Sequence, residues 1–238
     1  MEVAKIIAVI HARGGSKRIP LKNIKPLNGT PLIVYSITSC LKSKYLDRVI
    51  VSTDHEHIKS ISLGAGAEVP FDRPKDLSED VPSELVTKHA VEFVENEQGE
   101  KIDIVVTIQP TTPFFSAEDI DATIELIRKS DKFNTAFTVS KVSERPEWMF
   151  YKSGDHLVSY EKNKLQGDIG VVQSLKELWH PNGAIYVTRR PTLFEGGVLI
   201  DDSPAGHEMS HESSVDIDEP IDFLFAEFIA KNLNEHKL

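Results

Sequence analysis

Ala4-Lys5-Ile6-Ile7-Ala8-Val9-Ile10-His11-Ala12 leads directly into Arg13-Gly14-Gly15-Ser16-Lys17-Arg18-Ile19-Pro20-Leu21-Lys22-Asn23. The apolar, β-branched run Ala4–Ile10, halted by a glycine pair, has the pattern of a strand buried on both faces. A strand that opens into a glycine-rich basic loop suggests an α/β sheet with an anion site at its edge. Adjacent glycines let backbone amides approach an anion closely. Arg13, Lys17, Arg18 and Lys22 supply charge to neutralise a polyphosphate, and arginine can do so bidentately. The loop lacks the closing Gly-Lys-Ser/Thr of a Walker loop, and the Gly-x-Gly-x-x-Gly dinucleotide pattern is missing as well.

Outward from this stretch, apolar residues alternate between strand-like and helix-like periods. Pro31 suits a first helical turn, followed by an apolar face of Leu32, Ile33, Ile37, Cys40 and Leu41. Further strands are predicted at Arg48–Ser52, Asp103–Ile108, Thr135–Val139 and Asn182–Val187. Helices are predicted after Asp54, from a Ser83 cap to about Glu95, over Ala117–Lys129, and from Pro220 onward. The last carries Ile221, Leu224, Phe225, Phe228 and Ile229 at helical spacing. Strands alternating with helices of this length imply a three-layer, mostly parallel, Rossmann-like sheet. Right-handed crossovers then bring the loops Arg13–Asn23, Ser52-Thr53-Asp54 and Gln109–Pro113 to one edge.

The pattern loosens over 142–179, where Pro146, Trp148, Phe150 and Gly154 suggest a hairpin or arm inserted into a single domain spanning 1–238. Of 238 residues, 40% are hydrophobic and 27% charged, as in an ordinary soluble globular protein, and the formal net charge is -10. So acidic a chain argues against a nucleic-acid partner and makes the local basic cluster more informative. The apolar run at the start is too short for a membrane span or a signal peptide, and Cys40 is the single cysteine. A cytoplasmic protein without a membrane partner, disulfide framework or cysteine zinc site is expected. His180, His207 and His211 match no zinc spacing.

The loop Ala12–Lys17 with Pro20–Asn23 resembles the signature of the acylneuraminate cytidylyltransferases, which include the CMP-sialic acid and other CMP-nonulosonic acid synthetases. Further pieces match in order: Arg73-Pro74, Gln109-Pro110-Thr111, Asn182-Gly183-Ala184-Ile185-Tyr186 and Ser214-Val215-Asp216-Ile217-Asp218. The resemblance implies a nucleotidyltransferase fold and CMP transfer from CTP to the anomeric hydroxyl of a nonulosonic acid, with Mg2+ assisting pyrophosphate departure. It implies nucleotide binding by Arg13, Gly14, Gly15, Ser16, Lys17, Lys22, Asn23 and Arg73, with Arg13, Lys22 and Asp218 catalytic. Gln109, Thr111 and Asn182 are implied on the sugar side. By their own chemistry, the first two also suit a structural turn, and Asn182 a turn before a strand.

Asp216 and Asp218 are the implied metal ligands. Alternating residues of an extended segment face one side, where two carboxylates can share a hard cation. An acidic cap to the final helix is the other reading of the pair. The resemblance also implies a homodimer in which the arm completes the neighbour's sugar site, with Trp148, Met149, Phe150 and Tyr151 suited to an interface.

Three departures fall on the sugar side. Pro113-Phe114-Phe115 lacks the family's arginine, Leu178-Trp179-His180-Pro181 lacks its basic residues, and Trp148 replaces a lysine. A sugar carboxylate needs a cationic partner, a role left to Arg145 or to a second subunit. A less polar diamino acid of the legionaminic or pseudaminic type suits the aromatic replacements. A 3-deoxy-octulosonate cytidylyltransferase, a sugar-phosphate nucleotidyltransferase and a CTP-binding regulator without catalysis are the competing functions.

Overall fold

A computed structural model describes residues 4–99, 101–160 and 176–235. The opening apolar run forms β1 (Ile6–His11), and the loop after it returns through a small hairpin of β2 (Pro26–Leu27) and β3 (Thr30–Pro31). Then follow α1 (Leu32–Lys42), β4 (Arg48–Ser52), α2 (Glu56–Gly64), α3 (Ser83–Gln98), β5 (Ile104–Ile108), α4 (Ala117–Arg128) and β6 (Thr135–Lys141). The remaining elements are β7 (Phe150–Ser153), β8 (His156–Ser159), β9 (Trp179–Arg189), α5 (Arg190–Phe194), β10 (Ala205–Glu208) and α6 (Pro220–Glu235).

The central sheet has the order β10-β6-β9-β5-β1-β4. β1 runs parallel to both β4 and β5, β10 runs parallel to β6, and β9 runs antiparallel to β5. Side-chain alternation along β1 builds two apolar layers. Ile6, Ala8 and Ile10 pack with Ile33 and Ile37 of α1, Ile58 of α2, and Ile120 and Ile124 of α4. Ile7 and Val9 face the other way, onto Ala90, Val91 and Val94 of α3 and Leu193 of α5. The result is a three-layer α/β fold with a mostly parallel sheet.

By its contacts the chain divides into two compact units, Met1–Val139 with Pro181–Leu238, and Ser140–His180. In the smaller unit, β7 and β8 form an antiparallel hairpin that turns at Gly154, with φ +63°. Part of the arm predicted over 142–179 lies outside the described residues.

Local chemistry differs from the sequence expectation at Ser83 and along α6, and supplies a cap to α4 that the sequence reading did not name. Ser83 is the first residue of α3 rather than its cap; the capping position is held by Pro82, with no side-chain hydrogen bond. A full capping box starts α4 instead. Ser116 Oγ accepts from the Asp119 amide, and the Asp119 carboxylate accepts from the Ser116 amide. In α6 the buried side comprises Phe223, Ala226, Ile229 and Ala230, whereas Ile221, Leu224, Phe225 and Phe228 are 54–68% exposed. The apolar period is present, but most of the predicted stripe faces away from the core.

Candidate active site

β1 is flanked by β4 on one side and β5 on the other, so the chain leaves it in one direction and returns on the opposite side. Such a reversal opens a crevice at the carboxyl ends of the strands. There, a cleft of about 640 Å³ is lined by Arg13, Ser16, Lys17, Arg18, Lys22, Asn23, Arg73, Gln109, Thr111, Asp216 and Asp218, together with His11 and Asp80. Candidates from four of the five stretches of sequence therefore share one cavity.

The loop is shaped by contacts that its sequence only partly announces. Neither glycine has a positive φ. A Cβ on Gly14 would lie 2.7 Å from the His55 ring, and the Gly14 amide donates to Asp54 at 2.8 Å. Gly14 is thus required by close packing, and its amide is already engaged. Gly15 has nothing within 4 Å of its would-be Cβ, leaving its backbone open to approach. The Ser16 amide closes a tight turn onto the Gly14 carbonyl at 2.9 Å. Asn23 is buried, and its amide donates to the Arg13 carbonyl at 3.0 Å, which ties the two ends of the loop together.

Leu21 takes a left-handed conformation, φ 50°, just before a helical turn over Lys22–Ile24. The Lys22 side chain is only 13% exposed; its ammonium donates to the Ile217 carbonyl at 2.6 Å and to Asp218 at 3.1 Å. Arg18 adds longer contacts to Asp218 at 3.4 Å and Glu219 at 3.3 Å. The Asp216–Asp218 segment is held against the sheet edge by the Ile217 amide, which donates to the Thr111 carbonyl at 2.8 Å. The cap of α6 comes from Asp222, which accepts from the amides of Asp218 and Glu219. The carboxylates of Asp216 and Asp218 therefore need not serve as the helix cap.

Burial raises the pKa of Asp216 above the ordinary carboxyl value. A hydrogen bond from Thr111 opposes the rise, and the neighbouring Asp218 charge adds to it. A hard cation would offset both burial and repulsion. Among the described residues no group of three or more acidic, histidine or cysteine side chains could hold a metal. Two carboxylates suit magnesium, which takes one or two protein ligands and completes its shell with phosphate oxygens and water. The residues present therefore fit that ion.

Arg73 is buried under the cleft, donating to Ser52 Oγ at 3.0 Å and to the Ser52 carbonyl at 2.6 Å. Burial lowers its pKa to about 10, with Asp54 opposing the fall and Arg13 adding to it. His11 lies beside it, where burial and then Arg73 bring the imidazole pKa to about 3, so the ring is neutral. Its Nε2 pairs with Thr87 Oγ1 at 3.0 Å, and Thr87 pairs with Thr107 at 2.9 Å. No motif points to His11 from sequence; its place at the end of β1 is the only signal.

Of the three residues that the resemblance implies for the sugar, Gln109 and Thr111 line the cleft, but Asn182 does not. The Asn182 amide is buried and consumed internally. Its nitrogen donates to Ser214 Oγ and Met209 Sδ, and its oxygen accepts from Thr138 Oγ1 at 2.6 Å and the Ala184 amide at 3.2 Å. In this arrangement every polar atom of its side chain is engaged within the fold, away from the cleft lining. Arg145 donates within the smaller unit, to Glu147 at 3.0 Å and the Lys176 carbonyl at 2.7 Å. His207 pairs with Asp119 at 3.0 Å outside the cleft, and His180 pairs with Ser140.

The family of proteins described as cytidylyltransferase matches residues 7–195, most of the chain. The chain is 32% identical over 235 residues to CMP-N,N'-diacetyllegionaminic acid synthase of Legionella pneumophila, covering 98% of this chain and 99% of that protein. It is 36% identical over 226 residues to N-acylneuraminate cytidylyltransferase A of Danio rerio, covering 93% of this chain but only 50% of that protein. In fold it is similar to a CMP:2-keto-3-deoxy-manno-octonic acid synthetase complexed with CTP. That match has a TM-score of 0.69 at 18% identity and covers 98% of this chain and 100% of the other. The chain belongs to the cytidylyltransferase family and is a CTP-dependent nucleotidyltransferase.

Proposed function

From that membership, we propose that this enzyme transfers CMP from CTP to the anomeric hydroxyl of a nonulosonic acid, releasing pyrophosphate. The observation that carries the reading is the convergence of the basic loop and the Asp216/Asp218 pair in one cleft at the sheet's switch point. In this reaction a bond forms between the sugar oxygen and the α-phosphorus while the α–β phosphoanhydride breaks. Arg13, Lys17 and Lys22 would hold the triphosphate, with Arg13 and Lys22 also stabilising charge that develops on the departing pyrophosphate. Asp216 and Asp218 would hold magnesium, which when bound neutralises phosphate oxygens and aids the leaving group. Gln109 and Thr111 face the same space and would contact the sugar acid.

The match to the Legionella pneumophila synthase over nearly both whole chains supports an acid of the legionaminic type. The stretch Pro113-Phe114-Phe115, where the resemblance leads one to expect an arginine, does not line the cleft: Phe115 is buried in the core and Phe114 packs against the Ile19, Leu27 and Leu32 cluster, so it lends this choice no support. We also propose a cytoplasmic homodimer. Exposed Tyr151, Leu157 and Val158 on the arm hairpin support the dimer. Among the described residues no helix is long and apolar enough to cross a membrane.

The test is pyrophosphate release with magnesium and CTP across legionaminic, pseudaminic, sialic, deaminated sialic and octulosonic acids. Release with a nonulosonic acid and CTP, but not ATP or GTP, is the expected result. Turnover of the octulosonic acid alone, or of a sugar phosphate instead of a free acid, would overturn the reading. CTP binding with no turnover of any sugar would favour the regulator.

A further inference from the structure

The cations of the basic loop are already met by carboxylates of the same chain. Arg18 and Lys22 pair with Asp218. Arg13 and Lys17 are bridged by one side chain, Asp80, whose Oδ1 accepts from Arg13 Nη2 at 2.5 Å and whose Oδ2 accepts from Lys17 Nζ at 2.7 Å. Asp80 lies outside any helix or strand, between the helical turn Lys75–Leu77 and the start of α3. Nothing in the sequence links it to a loop more than sixty residues earlier.

The arrangement has the chemistry of an anion site holding an anion. One carboxylate spreads its two oxygens over two cations, as two phosphate oxygens would. The hydrogen bonds from Lys17 and Arg13 hold the Asp80 carboxyl well below its ordinary value, near 2, so it is ionised at any working pH. The pair is nevertheless exposed, with 62% of the Asp80 side chain and 73% of Lys17 open to solvent. Exposed ion pairs are individually weak and screened by salt. A polyphosphate carries several times the charge of a carboxylate and can displace it, whereas weaker anions compete less well.

We propose that Asp80 is an internal counter-anion for the triphosphate site, a specificity residue that competes with phosphate for Arg13 and Lys17 and so loosens the hold on product pyrophosphate. This rests on the assignment of the basic loop to CTP. Without nucleotide, Asp80 keeps the two cations paired and close together. With CTP bound, the carboxylate yields its place. After transfer, its return to Arg13 and Lys17 favours release of pyrophosphate. The cost is some affinity for CTP, which selects the more highly charged ligand.

The test is calorimetric titration of inorganic pyrophosphate and of CTP into the full chain and into Asp80→Asn, an exposed and nearly isosteric change. The exposed Glu118→Gln, outside the lining of the cleft, supplies the same change in net charge. Loss of the competitor is expected to tighten pyrophosphate binding roughly two- to tenfold, with CTP moving in the same direction, and to lower the pyrophosphate inhibition constant in turnover. Glu118→Gln is expected to leave all three unchanged. Pyrophosphate binding that is unchanged or weakened in Asp80→Asn would overturn the proposal, weakening meaning that Asp80 positions the cations instead. An equal gain in Glu118→Gln would overturn it too, by making the effect one of overall charge. Failure of the unaltered chain to bind either ligand would overturn the nucleotide reading itself, and this proposal with it.

Discussion

The ammonium of Lys22 stands 3.1 Å from the Asp218 carboxylate and 2.6 Å from the Ile217 carbonyl, joining the basic loop to the acidic segment across nearly the whole sequence. One group on the first loop of the fold thereby adds a second anchor to the Asp216–Asp218 segment, beside the Ile217 amide bond to Thr111. A compact ammonium on a flexible stem can satisfy both acceptors, whereas a planar guanidinium presents a different donor geometry. Under the proposed assignment of Lys22 to phosphate and of Asp216 and Asp218 to magnesium, this link makes the cation a positioning device for the acidic pair, and the first prediction follows from it.

Replacing Lys22 by Ala removes a cation from the cleft and releases the Asp216–Asp218 segment together. Loss of such a pre-positioned donor is expected to reduce kcat/KM by about a hundredfold or more. Lys22→Arg should recover only part of it, because charge returns without the geometry. Pyrophosphate-release kinetics, with circular dichroism to check the fold, are the measurement. Activity of Lys22→Ala within a few-fold of the unaltered enzyme would remove Lys22 from the site.

Asp216→Asn and Asp218→Asn keep the shape of the acidic segment and change its charge. Both are expected to abolish magnesium-dependent turnover while CTP still binds in the presence of a chelator, since the basic loop is intact. Excess chelator should bring the unaltered enzyme to the same state reversibly. Titrating magnesium into each variant during turnover checks the assignment. Ordinary turnover of both variants at ordinary magnesium would show that the pair is only the entry to α6.

Asn182 is expected to behave as a structural residue. Its side chain satisfies Thr138, Ser214 and the Ala184 amide inside the sheet, so Asn182→Ala strands several buried partners. A loss of about 2–4 kcal/mol in unfolding free energy follows, read from urea denaturation. In the folded fraction KM for the sugar acid should stay close to that of the unaltered enzyme. A large rise in KM with unchanged stability would return Asn182 to the sugar site.

At Asn182 the local signal and the tertiary use differ. Asn182-Gly183 reads as a turn or a ligand from its neighbours alone, and only the arrival of Met209 and Ser214 from far along the chain shows that its amide is spent. The alternating half of the fold was legible because β1, β4 and β5 are buried on both faces, and a double-faced strand must be a continuous apolar run. β10 gave no such signal. Ala205-Gly206-His207-Glu208 becomes a strand by pairing with β6, not through its own propensity. In α6 the helical period was legible, but period alone does not say which face meets the core. The basic loop stood out by composition and Asp216/Asp218 through the family resemblance, whereas Asp80 and His11 enter the cleft through contacts made only after folding.

Stability should depend on pH through Glu95 and Arg190, which form a two-point pair between α3 and α5 with both contacts at 2.7 Å. The hydrogen bonds from Arg190 lower the Glu95 pKa; burial opposes the fall, and the Ile102 amide adds to it. A depressed folded-state pKa stabilises the fold above the unfolded value, near 4.3, and that contribution is lost as pH falls through the folded value. Glu95→Gln is therefore expected to cost about 1–3 kcal/mol at pH 7, a gap that narrows below about pH 4. Urea unfolding of both proteins at the two pH values measures it. A gap that stays constant with pH would mean that packing, and not charge, accounts for the cost.

The two glycines of the loop should separate when each is changed to alanine. At Gly14 the added methyl would lie 2.7 Å from His55 Cδ2 and 2.9 Å from its Cβ, so the histidine or the loop must shift. Because His55 also caps α2 by accepting from the His57 amide, the disturbance reaches that helix. Gly14→Ala is expected to lose about 1–3 kcal/mol of stability, as overpacked sites do. Gly15 has open space and no positive φ, so Gly15→Ala should fold with nearly unaltered stability. If the open side of Gly15 is where triphosphate oxygens approach the backbone, the same methyl will raise KM for CTP while the thermal midpoint holds. Thermal unfolding and CTP saturation curves for the two variants decide the matter. Equal stability losses would mean that the loop tolerates no side chain at either position; an unchanged KM in Gly15→Ala would place the phosphates on the side chains of Arg13, Lys17 and Lys22 alone.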